Sequence, residues 1–308
     1  MNSSIYDIII VGGGPAGLTA GLYASRARLK TLLIEKIALG GQVTKSEQIE
    51  NYPGFEEGIS GFQLMQNLEK QAKGFGLTIE TGDVQDIVSL HKNKKTLKVQ
   101  DREFHCKALI IATGSESNAL GVEGEDTLLG RGVSYCATCD GAFFRDREVA
   151  VVGGGDAAVE EALFLTRLVK KVHIIHRRDE LRAIKILQER ALAHEKIAFI
   201  WNTVVEKIEG ENSVEALKLK NIKEDRAFSL SVEGVFIYVG LSPNTTWLKN
   251  RLPLTEQGFI ETDHGMETSL PGVFAAGDVR HKLLRQIATA VGDGSTAAFA
   301  AEKYLDSL

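Results

Sequence analysis

Cysteine is scarce in this 308-residue chain, which holds only Cys106, Cys136 and Cys139. Three thiols are too few for the disulfide framework of a small secreted protein. Net positive charge is also lacking: 36 Lys and Arg stand against 41 Asp and Glu, for a net charge of −5. Such a surface attracts neither phosphate backbones nor anionic lipid, so nucleic acid and membranes are excluded as expected partners. No stretch approaches the ~18 uninterrupted apolar residues of a membrane span. The short apolar run Ile8 to Val11 follows Asp7 and leads into glycines, so it reads as a strand and not a signal peptide. Low-complexity segments and long linkers are missing too. The expectation is a soluble, cytoplasmic protein.

What is present is an ordinary globular composition, 44% apolar and 25% charged, with 31 glycines. Glycine therefore exceeds its usual share of about 7%, which points to close backbone approaches. The length favours two domains, each with its own core.

The most informative feature is a repeat of pattern. A strand, a glycine turn and a helix occur twice, far apart. The first copy is Tyr6 to Val11, then Gly12-Gly13-Gly14-Pro15-Ala16-Gly17, a helix from Leu18 to Ala27, and a strand from Thr31 to Ile34 ending at Glu35. The second is Glu148 to Val152, then Gly153-Gly154-Gly155-Asp156-Ala157-Ala158, a helix to about Val169, and a strand from Val172 to Ile175. In each, the first glycine permits a tight turn and the second lets the backbone approach a pyrophosphate. The third small residue, Gly17 or Ala158, lets helix and strand pack closely, and the helix N-terminus offers amides to phosphate. One such hexapeptide is weak evidence, but two in strand-turn-helix context are not.

The residue 23 positions beyond each first glycine separates the copies. In copy one it is Glu35, whose carboxylate accepts hydrogen bonds from ribose hydroxyls. In copy two it is His176, followed by Arg177, Arg178 and Arg182. Arginines present forked, permanent cations matched to a phosphate dianion. A basic run is ordinarily a solvated turn, and Glu35 alone would be a surface residue at a strand end. Their shared register in a nucleotide fold outweighs both readings. Copy one is expected to hold FAD, and copy two NADPH rather than NADH.

Two further runs, Ala108 to Gly114 and Gly234 to Gly240, read as buried strands ending in glycine. The chain is expected to cross between domains near Gly114 to Gly124 and again near Leu241 to Asn244. This makes an α/β protein of two Rossmann-like dinucleotide-binding domains, the NADPH domain inserted into the FAD domain. The expected parts are 1–116 for the first FAD segment, 117–244 for the NADPH domain, and 245–308 for the second FAD segment. In the last, Gly272 to Asp278 reads as a strand leading to an acid, and a helix is expected from Gln286 through Tyr304.

Cys136-Ala137-Thr138-Cys139, followed by Asp140, precedes the second nucleotide unit. Two thiols at this spacing close a small disulfide in a turn or the first turn of a helix, where the helix N-terminus favours thiolate. A zinc site lacks further ligands at suitable spacing, so no metal is expected. Inert core thiols would be unremarkable elsewhere, but beside sites for a hydride donor and a flavin the redox reading wins. Nicotinamide delivers two electrons as hydride, and thiol-disulfide exchange moves two, so flavin is the natural intermediary. One cysteine must face the flavin and the other outward. Asp140 is placed by sequence to take or supply thiol protons, against the plainer reading of a cap carboxylate. Cys106 reads as a packing residue.

With these residues in hand, the chain resembles the bacterial low-molecular-weight thioredoxin reductases over essentially its whole length. The likeness rests on Gly12 to Gly17, Gly40-Gly41-Gln42, Asn51-Tyr52-Pro53-Gly54, Ala112-Thr113-Gly114, Cys136 to Asp140, His176-Arg177-Arg178 with Arg182, Gly277-Asp278 and Arg285-Gln286. It implies that Cys139 faces the flavin, that Cys136 exchanges with thioredoxin or a similar dithiol protein, and that Asp140 is the acid-base residue. It also implies a homodimer whose NADPH domain swivels. By position it assigns Gly12, Gly14, Pro15, Ala16, Gly17, Glu35, Gly41, Gln42, Asn51, Ala112, Thr113, Gly114, Gly277, Asp278, Arg285, Gln286 and Ile287 to FAD. Gly153, Gly155, Asp156, Ala157, Ala158, His176, Arg177, Arg178 and Arg182 go to NADPH. Ala157 and Leu284 depart from the family, which often has a hydroxyl and a tyrosine at these places. Two other functions remain to be weighed. One is a related flavin disulfide reductase with another electron donor or dithiol acceptor, and the other is a flavin-binding redox sensor without turnover. The second glycine turn and its arginines argue against another electron donor and, as an intact NADPH pocket, against the sensor.

Overall fold

The computed structural model describes residues 5–46, 49, 51–248 and 251–308, with backbone alone at Lys45, Thr138 and Cys139. The chain divides into two compact units, one of Met1–Glu116 with Ser242–Leu308, the other of Ser117–Leu241.

The first unit begins β1 (Tyr6–Val11), α1 (Pro15–Arg26), β2 (Thr31–Glu35), α2 (Gly61–Gly74) and β3 (Thr78–Thr81). A meander follows, β4 (Val84–His91), β5 (Lys94–Val99) and the long β6 (Arg102–Ile111), before the short β7 (Ser115–Ser117). Strands lie in the order β3-β2-β1-β6-β5-β4. β1, β2 and β3 run parallel with the second half of β6, while β4 and β5 are antiparallel to their neighbours. The sheet is apolar on both faces. Ile8 and Ile10 pack under α1, whereas Ile9 and Val11 turn to a second cluster with Leu97, Leu109 and Leu248. Each fully buried Ile or Leu contributes roughly 1.5–3 kcal/mol, so this alternation fixes the register of β1.

The second unit runs β8 (Val133–Ser134), α3 (Ala137–Asp140), β9 (Glu148–Gly153), α4 (Asp156–Leu165), β10 (Lys171–Ile175), α5 (Lys185–Leu192) and β11 (Ile197–Ile200). An antiparallel meander of β12 (Thr203–Glu209), β13 (Ala216–Asn221) and β14 (Arg226–Ser231) follows, then β15 (Gly234–Tyr238). The parallel sheet has the order β11-β10-β9-β15-β8. Val149 and Val151 face one core, and Ala150 and Val152 the other.

The chain returns through β16 (Leu241–Pro243), which pairs with β7, so the two crossings form a two-stranded ribbon. β17 (Val273–Ala275) then joins the first unit's sheet beside β6, and α6 (Ile287–Asp306) closes the chain.

The expected α/β class and both strand-turn-helix-strand repeats are present. Among the boundaries that differ are two helix ends. α1 starts at Pro15, not Leu18, because a proline's fixed φ suits a first helical turn and its missing N–H costs nothing there. α4 ends at Leu165, not near Val169, where tighter turns take over through Arg167 N to Phe164 O and Leu168 N to Leu165 O. The two antiparallel meanders were not foreseen.

Candidate active site

In the first unit the turn after β1 is shaped by contacts only glycine permits. Gly12 has φ +108°, and a Cβ there would lie 2.3 Å from the Ala112 carbonyl oxygen. A Cβ on Gly17 would lie 1.9 Å from the Gly12 oxygen, so α1 and β1 could not approach. Gly14, by contrast, faces open space and caps α1 without a side-chain acceptor. The amides of the first turn are therefore available to an anion. Glu35, at the end of β2, is fixed by both oxygens: Oε2 accepts from Gly13 N at 2.7 Å and Oε1 from Ile37 N at 3.2 Å. Each oxygen keeps a further lone pair for a ribose hydroxyl. Gly41 lies against Gly14, its added Cβ falling 3.7 Å from the Gly14 Cα, and Gln42 follows in an exposed helical turn.

The same unit brings the remaining expected residues to the ends of β6, β17 and α6. Thr113 and Asn244 exchange two hydrogen bonds, Thr113 Oγ1 to Asn244 O at 2.8 Å and Asn244 Nδ2 to Thr113 O at 3.0 Å. They fix the Ala112-Thr113-Gly114 corner. Asn51 Nδ2 donates to Gln286 Oε1 at 3.0 Å, and residues Asn51 to Glu56 bound an open cavity of about 540 Å³. Gln286 is the N-cap of α6, its own N–H donated to Thr289 Oγ1 at 3.2 Å, and Ile287 opens the helix half-buried. Gly277, at φ +79°, sits where a Cβ would press on Ala16. Asp278 follows it, with Oδ1 buried and lacking any hydrogen-bond partner among the described residues. Burial pushes its carboxyl up, while Lys282 and Arg285 oppose that shift and Asp293 adds to it. The Arg285 guanidinium lies 4.1 Å over the Phe259 ring and reaches the Arg280 carbonyl at 3.3 Å.

The second unit repeats the turn with different chemistry. Gly153 would clash with the Tyr238 carbonyl oxygen at 2.3 Å, Gly155 is open, and Ala158 is buried at the third small position. Asp156 Oδ1 accepts from Ile184 N at 2.7 Å, and Arg182 N donates to Gly154 O at 2.7 Å, which pins the basic segment to the turn. Ala157 lies exposed between Asp156 and Ala158. His176 does not project with the arginines. It is 4% exposed and packs under Gly154, where a Cβ would fall 2.5 Å from its ring. Burial first, then Arg182, Arg178 and Arg177, push its imidazole down, so the ring is neutral at pH 7. Arg177, Arg178 and Arg182 are exposed, and of the two acids among them, Asp179 and Glu180, the first is engaged by Lys223 at 2.6 Å. Among the described residues, none of the three arginines is held in an ion pair.

Also in this unit, Cys136 directly precedes α3 and is disulfide-bonded. The Cys139 side chain lies outside the described residues. Asp140 N donates to Cys136 O at 3.1 Å, closing the helical turn, and Cys136 N donates to Ser134 Oγ at 3.0 Å. The buried Ala137 N–H donates to the Tyr238 hydroxyl at 2.8 Å. Glu125 supports the approach to the cysteine. It is 2% exposed and accepts from Leu120 N, Gly121 N and the Tyr135 hydroxyl at 2.8, 2.7 and 2.5 Å. Cys106 is free and buried, and burial pushes its thiol up to about 12. Among the described residues no cluster of His, Cys, Asp or Glu could hold a metal ion, and no helix is long and apolar enough to cross a membrane.

Two mononucleotide-type turns, one guarded by a carboxylate and the other by arginines, together with a disulfide beside a helical turn, define an oxidoreductase of nucleotides and disulfides. Residues 6–294 match the model of the pyridine nucleotide-disulphide oxidoreductases, and the chain belongs to that family. Within it, the chain is 51% identical over 305 residues to thioredoxin reductase of Listeria monocytogenes, covering 99% of this chain and 95% of that one. It is 48% identical over 305 residues to thioredoxin reductase of Bacillus subtilis, covering 99% of this chain and 96% of the relative. The crystal structure of Lactococcus lactis thioredoxin reductase superposes with a TM-score of 0.92 at 46% identity, covering 98% of this chain and 100% of the other.

Asp293, Arg280, Lys282, Glu125 and Tyr238 escaped the sequence reading. Their partners are distant in the chain or belong to no motif, so no local signal marks them.

Proposed function

We propose that the chain is an NADPH-dependent thioredoxin-disulfide reductase that uses FAD and acts in the cytoplasm as a homodimer. The observation that carries this reading is the disulfide at Cys136 in the same chain as two glycine turns of opposite chemistry.

The first unit fits FAD. Open space at Gly14, the doubly anchored carboxylate of Glu35, and the buried Asp278 oxygen, unpartnered among the described residues, are a phosphate cradle, a ribose acceptor and an acceptor awaiting a hydroxyl. Gly12, Pro15, Ala16 and Gly17 shape the cradle, and Gly41, Gln42, Asn51, Ala112, Thr113, Gly114, Gly277, Arg285, Gln286 and Ile287 complete the site. The second unit fits NADPH: Gly153, Gly155, Asp156, Ala157 and Ala158 form the pyrophosphate turn. Arg177, Arg178 and Arg182 take the 2′-phosphate, and His176 supports the turn from beneath. Bound FAD supplies the two-electron relay from nicotinamide hydride to disulfide.

The chain's own residues then handle thiol and proton. Cys136 and Cys139 are the redox pair, with Cys136 attacking the partner disulfide as thiolate. Four residues on, Asp140 closes the turn that carries Cys136 and holds the proton exchanged with the emerging thiol. Tyr238, by accepting the first amide of α3, fixes where that turn begins.

The test is NADPH-dependent reduction of a chromogenic disulfide by the flavin-loaded protein, with and without thioredoxin, and with NADH as comparator. Turnover that requires thioredoxin and prefers NADPH is expected. Flavin reduction without thioredoxin turnover would demand another acceptor, and no flavin reduction by NADPH would overturn the reading.

A further inference from the structure

We propose that Asp293 is a positioning residue of the flavin site, forming with Arg280 and Lys282 a buried triad that holds the Gly277-Asp278 backbone and balances the charge beside it. This inference rests on the first unit's being the FAD site.

The triad is built from two segments, the N-terminal third of α6 and the loop that follows β17. Asp293 Oδ1 meets Arg280 Nη1 at 3.0 Å, and Oδ2 accepts from both Lys282 Nζ at 2.7 Å and Gly277 N at 3.0 Å. The side chains of Arg280, Lys282 and Asp293 are 11, 9 and 11% exposed. Charges so deeply placed are costly unless paired and hydrogen-bonded. Arg280 is further fixed through Nε to Thr262 Oγ1 at 2.8 Å.

Two features turn this cluster toward the flavin and not merely toward the fold. The first is the Gly277 N–H, which donates to a side chain of α6 at the residue where φ turns positive. The aim of the next residue, Asp278, whose buried oxygen has no partner among the described residues, therefore depends on the Asp293 carboxylate. The second is charge. Lys282, Arg285 and Asp293 all act on Asp278 electrostatically. With Arg280, three cations face two carboxylates, leaving one positive charge in excess. Neutralising Asp293 raises that excess by one, and neutralising Lys282 removes it.

A positive charge favours the two-electron-reduced flavin, whose negative charge it offsets. The experiment measures FAD dissociation and the midpoint potential of bound flavin against a reference dye. Cys136→Ser is the background, so that flavin is the acceptor. Asp293→Asn is expected to weaken FAD binding by roughly tenfold or more, the effect of losing a charge-assisted bond. It should also shift the flavin potential in the positive direction. Adding Lys282→Met should return the potential toward the parent value, which a simply loosened loop would not do. Lys282→Met alone should shift it negatively, and this variant decides the matter if Asp293→Asn does not fold. Parent-like affinity and potential in the variants would overturn the triad's role while leaving the FAD site standing. A parent protein that binds no FAD would overturn the site itself.

Discussion

At the scale of single residues, placement separates thiols of the same intrinsic chemistry. Cys106 lies fully buried in β6, where burial pushes its thiol up to about 12, so it carries no thiolate at working pH. Cys136 sits half-buried directly before α3, in a disulfide. In the native protein reduced by NADPH, a thiol reagent is therefore expected to label Cys136 and Cys139, and Cys106 only after unfolding. Rapid labelling of Cys106 in the folded state would contradict its burial. The arginines give a second expectation. Arg177→Ala with Arg178→Ala should raise the KM for NADPH by roughly tenfold to a hundredfold, the effect of lost charge-assisted hydrogen bonds. The KM for NADH should stay near its starting value, and equal loss for both nucleotides would remove these residues from the 2′-phosphate site. Glu35 and the arginines were legible in the sequence because strand register sets where a strand-end residue must lie. His176 was legible in position but not in direction. A ring that turns inward under Gly154 differs from one that turns outward by a side-chain rotation, which no spacing rule reports.

At the scale of elements, the glycine turns and their flanking strands were legible because two local rules agree: apolar runs for strands buried on both faces, and small residues where backbones touch. The strands β4, β5 and the first half of β6, and the meander β12-β13-β14, were not, since these partly exposed strands, such as Arg226–Ser231, lack a continuous apolar run. The network around Glu125 was equally hidden, because its ligands are mostly backbone amides, which leave no trace in residue identity. Helix α4 shows how an element changes titration. Burial and then Glu160 push the Glu161 carboxyl up from 4.5 to about 7, and Oε2 has no partner among the described residues. The folded chain thus keeps a proton that the unfolded chain has lost between these two values. Rising pH through that window consequently destabilises the fold, by roughly 3 kcal/mol at most. Glu161→Gln in the nucleotide-free protein should flatten this slope. Denaturant unfolding of both proteins from pH 4.5 to pH 7.5 measures it, and parallel pH profiles would exclude Glu161 as the source.

At the scale of the whole molecule, the two compact units differ in how the chain builds them. The first is made from two separated segments, while the second is continuous, Ser117–Leu241. Every large buried cluster draws its described members from one unit only: two clusters in the first and two in the second. Because β7 and β16 pair, the second unit's chain enters and leaves at adjacent points. An element inserted in this way owes little of its order to the flanking chain. The fragment Ser117–Leu241 expressed alone should therefore unfold in a single cooperative transition. If it holds the NADPH site, nucleotide at about a hundred times its Kd should stabilise it by roughly 2.7 kcal/mol, raising its Tm by on the order of 10 °C. NADH at equal concentration should raise it far less. A cooperative fragment whose Tm ignores NADPH would preserve the domain division and remove the nucleotide from this unit. A fragment without a cooperative transition would show that the unit depends on the rest of the chain, despite a core of its own.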